Sequence, residues 1–243
     1  MTEALVSERP LARPAPAPPS LALVDIVEPS DLPVPRLRGV SHEKAFAFAP
    51  ALGLLLVASA EGARASTAAA VFATTMMLML GVSAFNHRVP VTARWKPWLR
   101  RLDHTTVNLF LAGTWTSFAL LVLSGSSLIA LTAVVCFGAI VGSLVTVVWV
   151  EVPGWIPATI ALVAGWSAAL VLPALGESAG RDALGLFLVG GLLYSAGAIV
   201  YALERPNPLP ASVGYHEIFH ALVVAGAACH YLTHVFFVLP LAS

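Results

Sequence analysis

The chain has 243 residues, of which 58% are hydrophobic and 11% charged, and its formal net charge is zero. An ordinary soluble domain carries about 25% charged residues, so lipid is the expected solvent. The neutral balance leaves no basic surface of the kind that tracks a phosphate backbone, which excludes nucleic acid as an expected partner.

Residues 1–35 contain PLARPAPAPPS and then DLPVP, and they lack the basic start and short apolar core of a cleaved export signal. A disordered, Pro-rich cytoplasmic arm is expected there. Crossing a hydrocarbon core of about 30 Å takes about 20 apolar residues. Seven stretches qualify: Ala45–Ala60, the shortest, then Ala65–Phe85, Thr105–Leu123, Leu128–Trp149, Trp155–Leu175, Ala183–Leu203 and Glu217–Leu239. Gly, Pro and charged residues mark short connectors at Glu61-Gly62, Gly125 to Ser127, Val152 to Gly154, Gly176 to Arg181 and Arg205 to Pro208. Brief links make neighbouring helices antiparallel, so the expected fold is an all-α membrane protein, a single seven-helix transmembrane bundle over residues 36–243.

Lys and Arg accumulate on the cytoplasmic side of membrane proteins. With the N-terminus inside, Arg9, Arg13, Arg36, Arg38, Lys44, Arg88, Arg94, Lys96, Arg100, Arg101 and Arg205 are cytoplasmic, and only Arg64 and Arg181 lie outside. This predicts a cytoplasmic N-terminus and an external C-terminus. The longest loop, RVPVTARWKPWLRR, mixes Trp95 and Trp98 with cations and suits an anionic headgroup surface, although a plain solvated linker would carry the same charges.

Ionisable groups within hydrocarbon are costly and mark functional candidates. Helix two ends in SAFNH, with Ser83 and His87 on one face; helix three opens on Asp103 and His104; helix seven opens in HEIFH, with His216 and His220 one turn apart. In the assigned topology, His87, Asp103, His216 and His220 share one membrane level. Three histidines and a solvent molecule make a tetrahedral zinc site with an open position, which lowers the pKa of water to about 7. Asp103 is placed to orient and deprotonate that water without being a ligand, and Ser83, one turn deeper, to hydrogen-bond a substrate oxygen. Taken alone, His87 also reads as a capping residue and Asp103 as a partner of the helix dipole.

HEIFH also satisfies H-E-x-x-H with Glu217 as general base, the pattern of a metalloprotease. That reading needs Asp103 as third ligand and leaves His87 idle. A second pair, His230 and His234, lies about 15 to 20 Å further along helix seven with no third ligand in prospect, and is expected to serve packing or interhelical hydrogen bonds. Gly138, Gly142, Gly190, Gly191 and Gly197 are expected at helix contacts, Met76, Met77 and Met79 in lipid or core, and Cys136 and Cys229 as small buried thiols without a disulfide.

Six motifs in order, RGVSH at 38–42, SAFNHRVP at 83–90, RLDHTTV at 101–107, AGTW at 112–115, GGLLYSAGAIVYALERP at 190–206 and YHEIFHALVVAGA at 215–227, give the chain a resemblance to the bacterial hemolysin III proteins, relatives of the progestin and adipoQ receptors. The resemblance covers roughly residues 36–239. It implies a multi-pass protein of the bacterial inner membrane with seven helices. It also implies an intramembrane zinc held by His87, His216 and His220, with Asp103 holding the zinc-bound water and Ser83 as the family's serine. In the receptor relatives it implies an internal cavity for a lipid substrate or fatty acid and a ceramidase-like hydrolysis of a lipid amide or ester. Thr116 and Ser117 replace a proline common after AGTW, which questions a kink in helix three. A non-enzymatic lipid sensor or hemolysin-type pore-former with structural zinc is the competing expectation, although no ring of charges for a conducting path is apparent.

Overall fold

A computed structural model describes residues 34–149, 152–167, 169 and 172–241. The arm expected over residues 1–35 therefore lies outside the described residues up to residue 33. Among the described residues there is no strand; a single isolated bridge pairs Leu209 with Val213. Seven α-helices follow in order: α1 (Val40–Ala58), α2 (Gly62–Arg88), α3 (Lys96–Val122), α4 (Gly125–Val148), α5 (Trp155–Ser167), α6 (Leu172–Leu203) and α7 (Tyr215–Thr233). A π turn (His234–Val238) and a 3-10 turn (Leu239–Leu241) extend α7. Six helices, all but α5, are long and apolar enough to cross a membrane. The protein is a multi-pass membrane protein.

Each helix packs on its successor, and α7 returns to α1, which closes the bundle into a ring. α2 shows why the helices approach closely. Its buried residues Ala65, Ala68, Ala69, Phe72, Ala73, Met76, Met79 and Leu80 recur every three or four positions, and the alanines let neighbouring backbones come near. α4 turns Ile129, Phe137, Ile140, Leu144 and Val148 outward, as a lipid-facing helix does.

Several expectations change at element boundaries. The first helix begins at Val40, five residues earlier than the apolar run, because Ser41, His42, Glu43 and Lys44 form its first turns. The fifth stretch does not run to Leu175 as one helix: α5 stops at Ser167 after 13 residues, about 20 Å of rise, and Leu175 belongs to α6. The connector expected from Gly176 to Arg181 is helical apart from Gly180, whose φ of 86° breaks the ladder, since Glu177, Ser178 and Ala179 are compatible with helix. The loop after α2 closes at Trp95; Pro97 lies in the first turn of α3, where its missing N–H costs nothing. Trp95 and Trp98 are exposed, with Arg101 over the Trp98 ring at 4.5 Å.

Cys136 sits on the exposed face of α4, contrary to the expected burial, because an apolar run on an outer helix also has a lipid face. Cys229 is half-buried, and both thiols are free. A Cβ at Gly142 would meet Asn108, and one at Gly197 would meet Phe219 and Leu222, as contact glycines should; Gly191 has nothing within 4 Å and is not one.

α3 runs unbroken through Thr116 and Ser117. Ser117 instead ties helices together. Its hydroxyl lies 2.8 Å from the Ala68 carbonyl and 2.6 Å from His234 Nε2, while His234 Nδ1 donates to the His230 carbonyl at 2.9 Å. With Nδ1 protonated, neutral His234 needs a donor at Nε2, and the Ser117 hydroxyl is placed to give it. His230 Nε2 donates to the Phe187 carbonyl at 3.2 Å, and its ring stacks on Phe187. Both outer histidines thus make interhelical hydrogen bonds. Ser117→Ala is expected to destabilise the bundle by about 1 kcal/mol, the usual worth of such a bond in a membrane, measured as a fall in the midpoint of unfolding in mixed detergent micelles.

Candidate metal centre

Four helix ends meet at one level of the bundle: the starts of α1, α3 and α7 and the end of α2. The chain fastens them from several sides. Arg88 Nε, ending α2, pairs with Glu43 Oε2 of α1 at 2.8 Å. The residues before α1 run beside the loop before α7, with Arg36 N–H donating to Ala211 O at 3.1 Å and Leu37 N–H to Ser212 O at 3.2 Å. Arg38 Nε lies 2.6 Å from Glu217 Oε1, and Gly214 N–H donates to Glu217 Oε2 at 2.7 Å. Glu217, at N3, thus accepts from the N-cap backbone N–H at the start of α7, the half of a capping box that a glycine N-cap allows.

Within this frame, His87 Nε2 and His216 Nε2 face each other at 3.2 Å. Their separation matches the ~3.3 Å between two nitrogens bound at ~2.05 Å to one tetrahedral zinc. His220 completes the group: one nitrogen from each of the three side chains falls within 4.8 Å of the other two. Its Nδ1 is buried and has no hydrogen-bond partner. The cluster is partly buried and could hold a metal ion, and its all-nitrogen donor set fits zinc and other borderline transition metals.

Asp103 is buried on the first turns of α3, and its Oδ2 lies 3.3 Å from His87 Nε2. The same oxygen accepts a hydrogen bond from Asn86 Nδ2 at 2.8 Å. Lys96 Nζ donates to the Asn86 backbone carbonyl, which fixes α2 against the start of α3. Ser83 is 1% exposed, and its hydroxyl has no partner among the described residues, so it is free to bond a guest. His87, Asp103, His216 and His220 thus lie together at one end, and Ser83 lies one turn back along α2 from His87.

His104, the neighbour of Asp103, turns aside to within 3.5 Å of the Tyr201 hydroxyl on α6. Two contributors escaped the sequence. His42 is buried and stacks on His220 with ring centroids 3.9 Å apart and an interplanar angle of 3°, which fixes that imidazole's plane. Its signal was the cost of an ionisable side chain inside a span, which is visible only once α1 is known to begin before Ala45. Asn86 had no signal beyond its place beside His87.

The protein is matched by a family model described as haemolysin-III related over residues 31–231. The chain belongs to this family. It is 31% identical over 198 residues to "Hemolysin-3" of Bacillus cereus, covering 80% of this chain and 86% of that protein. It is 27% identical over 167 residues to the "Hemolysin-3 homolog" of Bacillus subtilis (strain 168), covering 69% and 75%. No solved structure matches significantly.

Gly39 lets the backbone pass over His87. Its φ is 76°, and a Cβ there would lie 2.5 Å from His87 Cβ. Gly39→Ala is expected to displace that imidazole and weaken metal binding about tenfold in competition with a chelator, the lower range for a disturbed supporting residue. Gly62→Ala carries the same backbone strain at φ 79° with nothing within 4 Å, so its metal affinity should match the wild type.

Proposed function

We propose that the protein is a zinc-dependent hydrolase of a lipid amide or ester, ceramidase-like in its chemistry, in the bacterial inner membrane. The observation that carries this reading is the opposed pair His87 Nε2 and His216 Nε2 at 3.2 Å with the Asp103 carboxylate 3.3 Å from the former. The metal, held by His87, His216 and His220, would supply Lewis acidity to a substrate carbonyl and to water. Asp103, oriented by Asn86, takes the proton from the attacking water and returns it to the departing amine or alcohol. Ser83 donates its free hydroxyl to the carbonyl oxygen.

Below the site lies an apolar cavity among α2, α3, α5, α6 and α7, lined by Met79, Trp115, Trp166, Phe187, Phe219 and Val223 among others. Its lining is mostly apolar, which suits an acyl chain. Phe219, between this cavity and the rings of His216 and His220, borders both.

Seven spans with the N-terminus and the metal centre cytoplasmic accompany this reading. A Cβ at Gly154 would lie 3.3 Å from the Tyr201 ring, so the start of α5 adjoins the end of α6, which supports α5 and α6 as an antiparallel pair. Arg36, Arg38, Lys44, Arg88, Lys96 and Arg205 flank the same end, in keeping with the positive-inside bias.

Gently purified protein should carry about one zinc per chain and cleave a lipid amide or ester from a defined panel. His216→Ala and His220→Ala should lose the metal. Asp103→Asn should keep it and lose about 100-fold or more in kcat, the usual worth of a general base. Protein without bound metal, or turnover indifferent to Asp103, overturns the proposal. Glu217→Gln should retain most turnover, because that carboxylate is spent on Gly214 and Arg38; a dead variant that still folds would restore the protease reading. The printed name of the Bacillus cereus relative favours one rival, a pore-former with structural zinc. Chelation that lowers stability, with no lipid turned over and dye released from vesicles, decides for that rival.

A further inference from the structure

The far end of the cavity contains two buried polar atoms without hydrogen-bond partners among the described residues: His230 Nδ1 and the Tyr194 hydroxyl. Both side chains line the cavity, and their ring centroids are 5.2 Å apart. His230 is 4% exposed. Almost all buried polar atoms in protein interiors are satisfied, so a pair left open calls for a partner.

The proton on His230 can be placed. Nε2 lies 3.2 Å from the Phe187 carbonyl, which only accepts, so Nε2 carries the hydrogen. In the neutral ring Nδ1 is then a bare acceptor. Tyr194, whose ring centroid lies 5.2 Å from that of His230, offers an O–H donor to the same end of the cavity. The ring is also held in place, because its backbone neighbour is Gly190, where a Cβ would lie 2.5 Å from His230 Cδ2 and 2.7 Å from Nε2. An acceptor and a donor lining one end of the cavity match a group that both donates and accepts. A carboxylate, which only accepts, leaves Nδ1 facing a lone pair, and a hydrocarbon end satisfies neither atom.

We propose that this end of the cavity is a recognition subsite for a hydroxyl group carried by a long apolar ligand. The ligand's O–H donates to His230 Nδ1, and its oxygen accepts from Tyr194. Ten residues of α7 separate His220 from His230, about 15 Å of rise, so the subsite reads a group remote from the metal centre. The proposal stands apart from the hydrolase reading, since it concerns binding alone. It adds a polar requirement at a position where the apolar lining would otherwise accept any chain.

The test uses the full chain in nanodiscs, with 1-hexadecanol, hexadecane and palmitate as probes and bound probe counted by mass spectrometry after separation from free lipid. Hexadecanol is expected to bind saturably at one per chain and at least tenfold more tightly than hexadecane or palmitate. Tyr194→Phe and His230→Phe should each reduce the preference for hexadecanol over hexadecane about tenfold, the effect of one buried hydrogen bond. Tyr194→Phe retains the ring and so keeps the test valid where His230→Phe fails to fold. His87→Ala, in which the proposed turnover fails, should bind hexadecanol as the wild type does. Equal binding of hexadecanol and hexadecane, a preference unchanged in Tyr194→Phe, or no saturable hexadecanol binding because a water satisfies the pair, overturns the proposal.

Discussion

Bringing imidazoles from the end of one helix and the start of another within 3.2 Å requires that both ends be held at the same depth, and the rest of the bundle follows from that requirement. A shift of one residue along either helix moves its histidines by about 1.5 Å and turns them about 100°, enough to undo the geometry. The chain prevents this with contacts of different kinds. Ion pairs link α1 to α2 and Arg38, before α1, to α7; backbone hydrogen bonds join the residues before α1 to the loop before α7, and Lys96 anchors α3 to the carbonyl of Asn86. Because these contacts sit where helices end, they also satisfy groups that the α-helical ladder leaves open.

α7 links three functions along one inner face. His216 and His220 stand at its start, Phe219 and Val223 form the cavity wall, and His230 and His234 lie near its end. At the far end, Ser117 and the carbonyls of Phe187 and His230 take up hydrogen bonds that lock α3, α6 and α7 together. Both ends also keep buried polar atoms without partners among the described residues: His230 Nδ1 and the Tyr194 hydroxyl at the far end, and atoms of His42, His220 and Ser83 at the other, as expected where the partner is an ion or a guest.

Much of this was legible in the sequence because hydrocarbon makes polar residues conspicuous. His87, Asp103, His216 and His220 stood out against apolar runs, and the count of basic residues was sufficient to bring them to one end. What escaped depended on boundaries. His42 was overlooked because the first apolar run starts at Ala45, although Ser41 to Lys44 are helical. The Gly176 to Arg181 segment suggested a connector, although its residues suit a helix and only Gly180 interrupts. Cys136 could not be assigned a burial from composition, since the lipid face and the core face of α4 are equally apolar. Asn86 was invisible for the opposite reason: a polar residue at the end of a span needs no special explanation.

Glu217 shows that position within a helix can reassign a familiar pattern. H-E-x-x-H is usually taken to mean two ligands and a base, but here the second residue falls three places after Gly214, where a carboxylate accepts the first free backbone N–H groups. A glutamate in that position faces back along the chain, away from whatever the histidines hold. The distance of the glutamate from the helix start is therefore a physical filter on the motif. In the interior of a helix the carboxylate is available to a bound water, whereas at the third position the backbone has first claim on it.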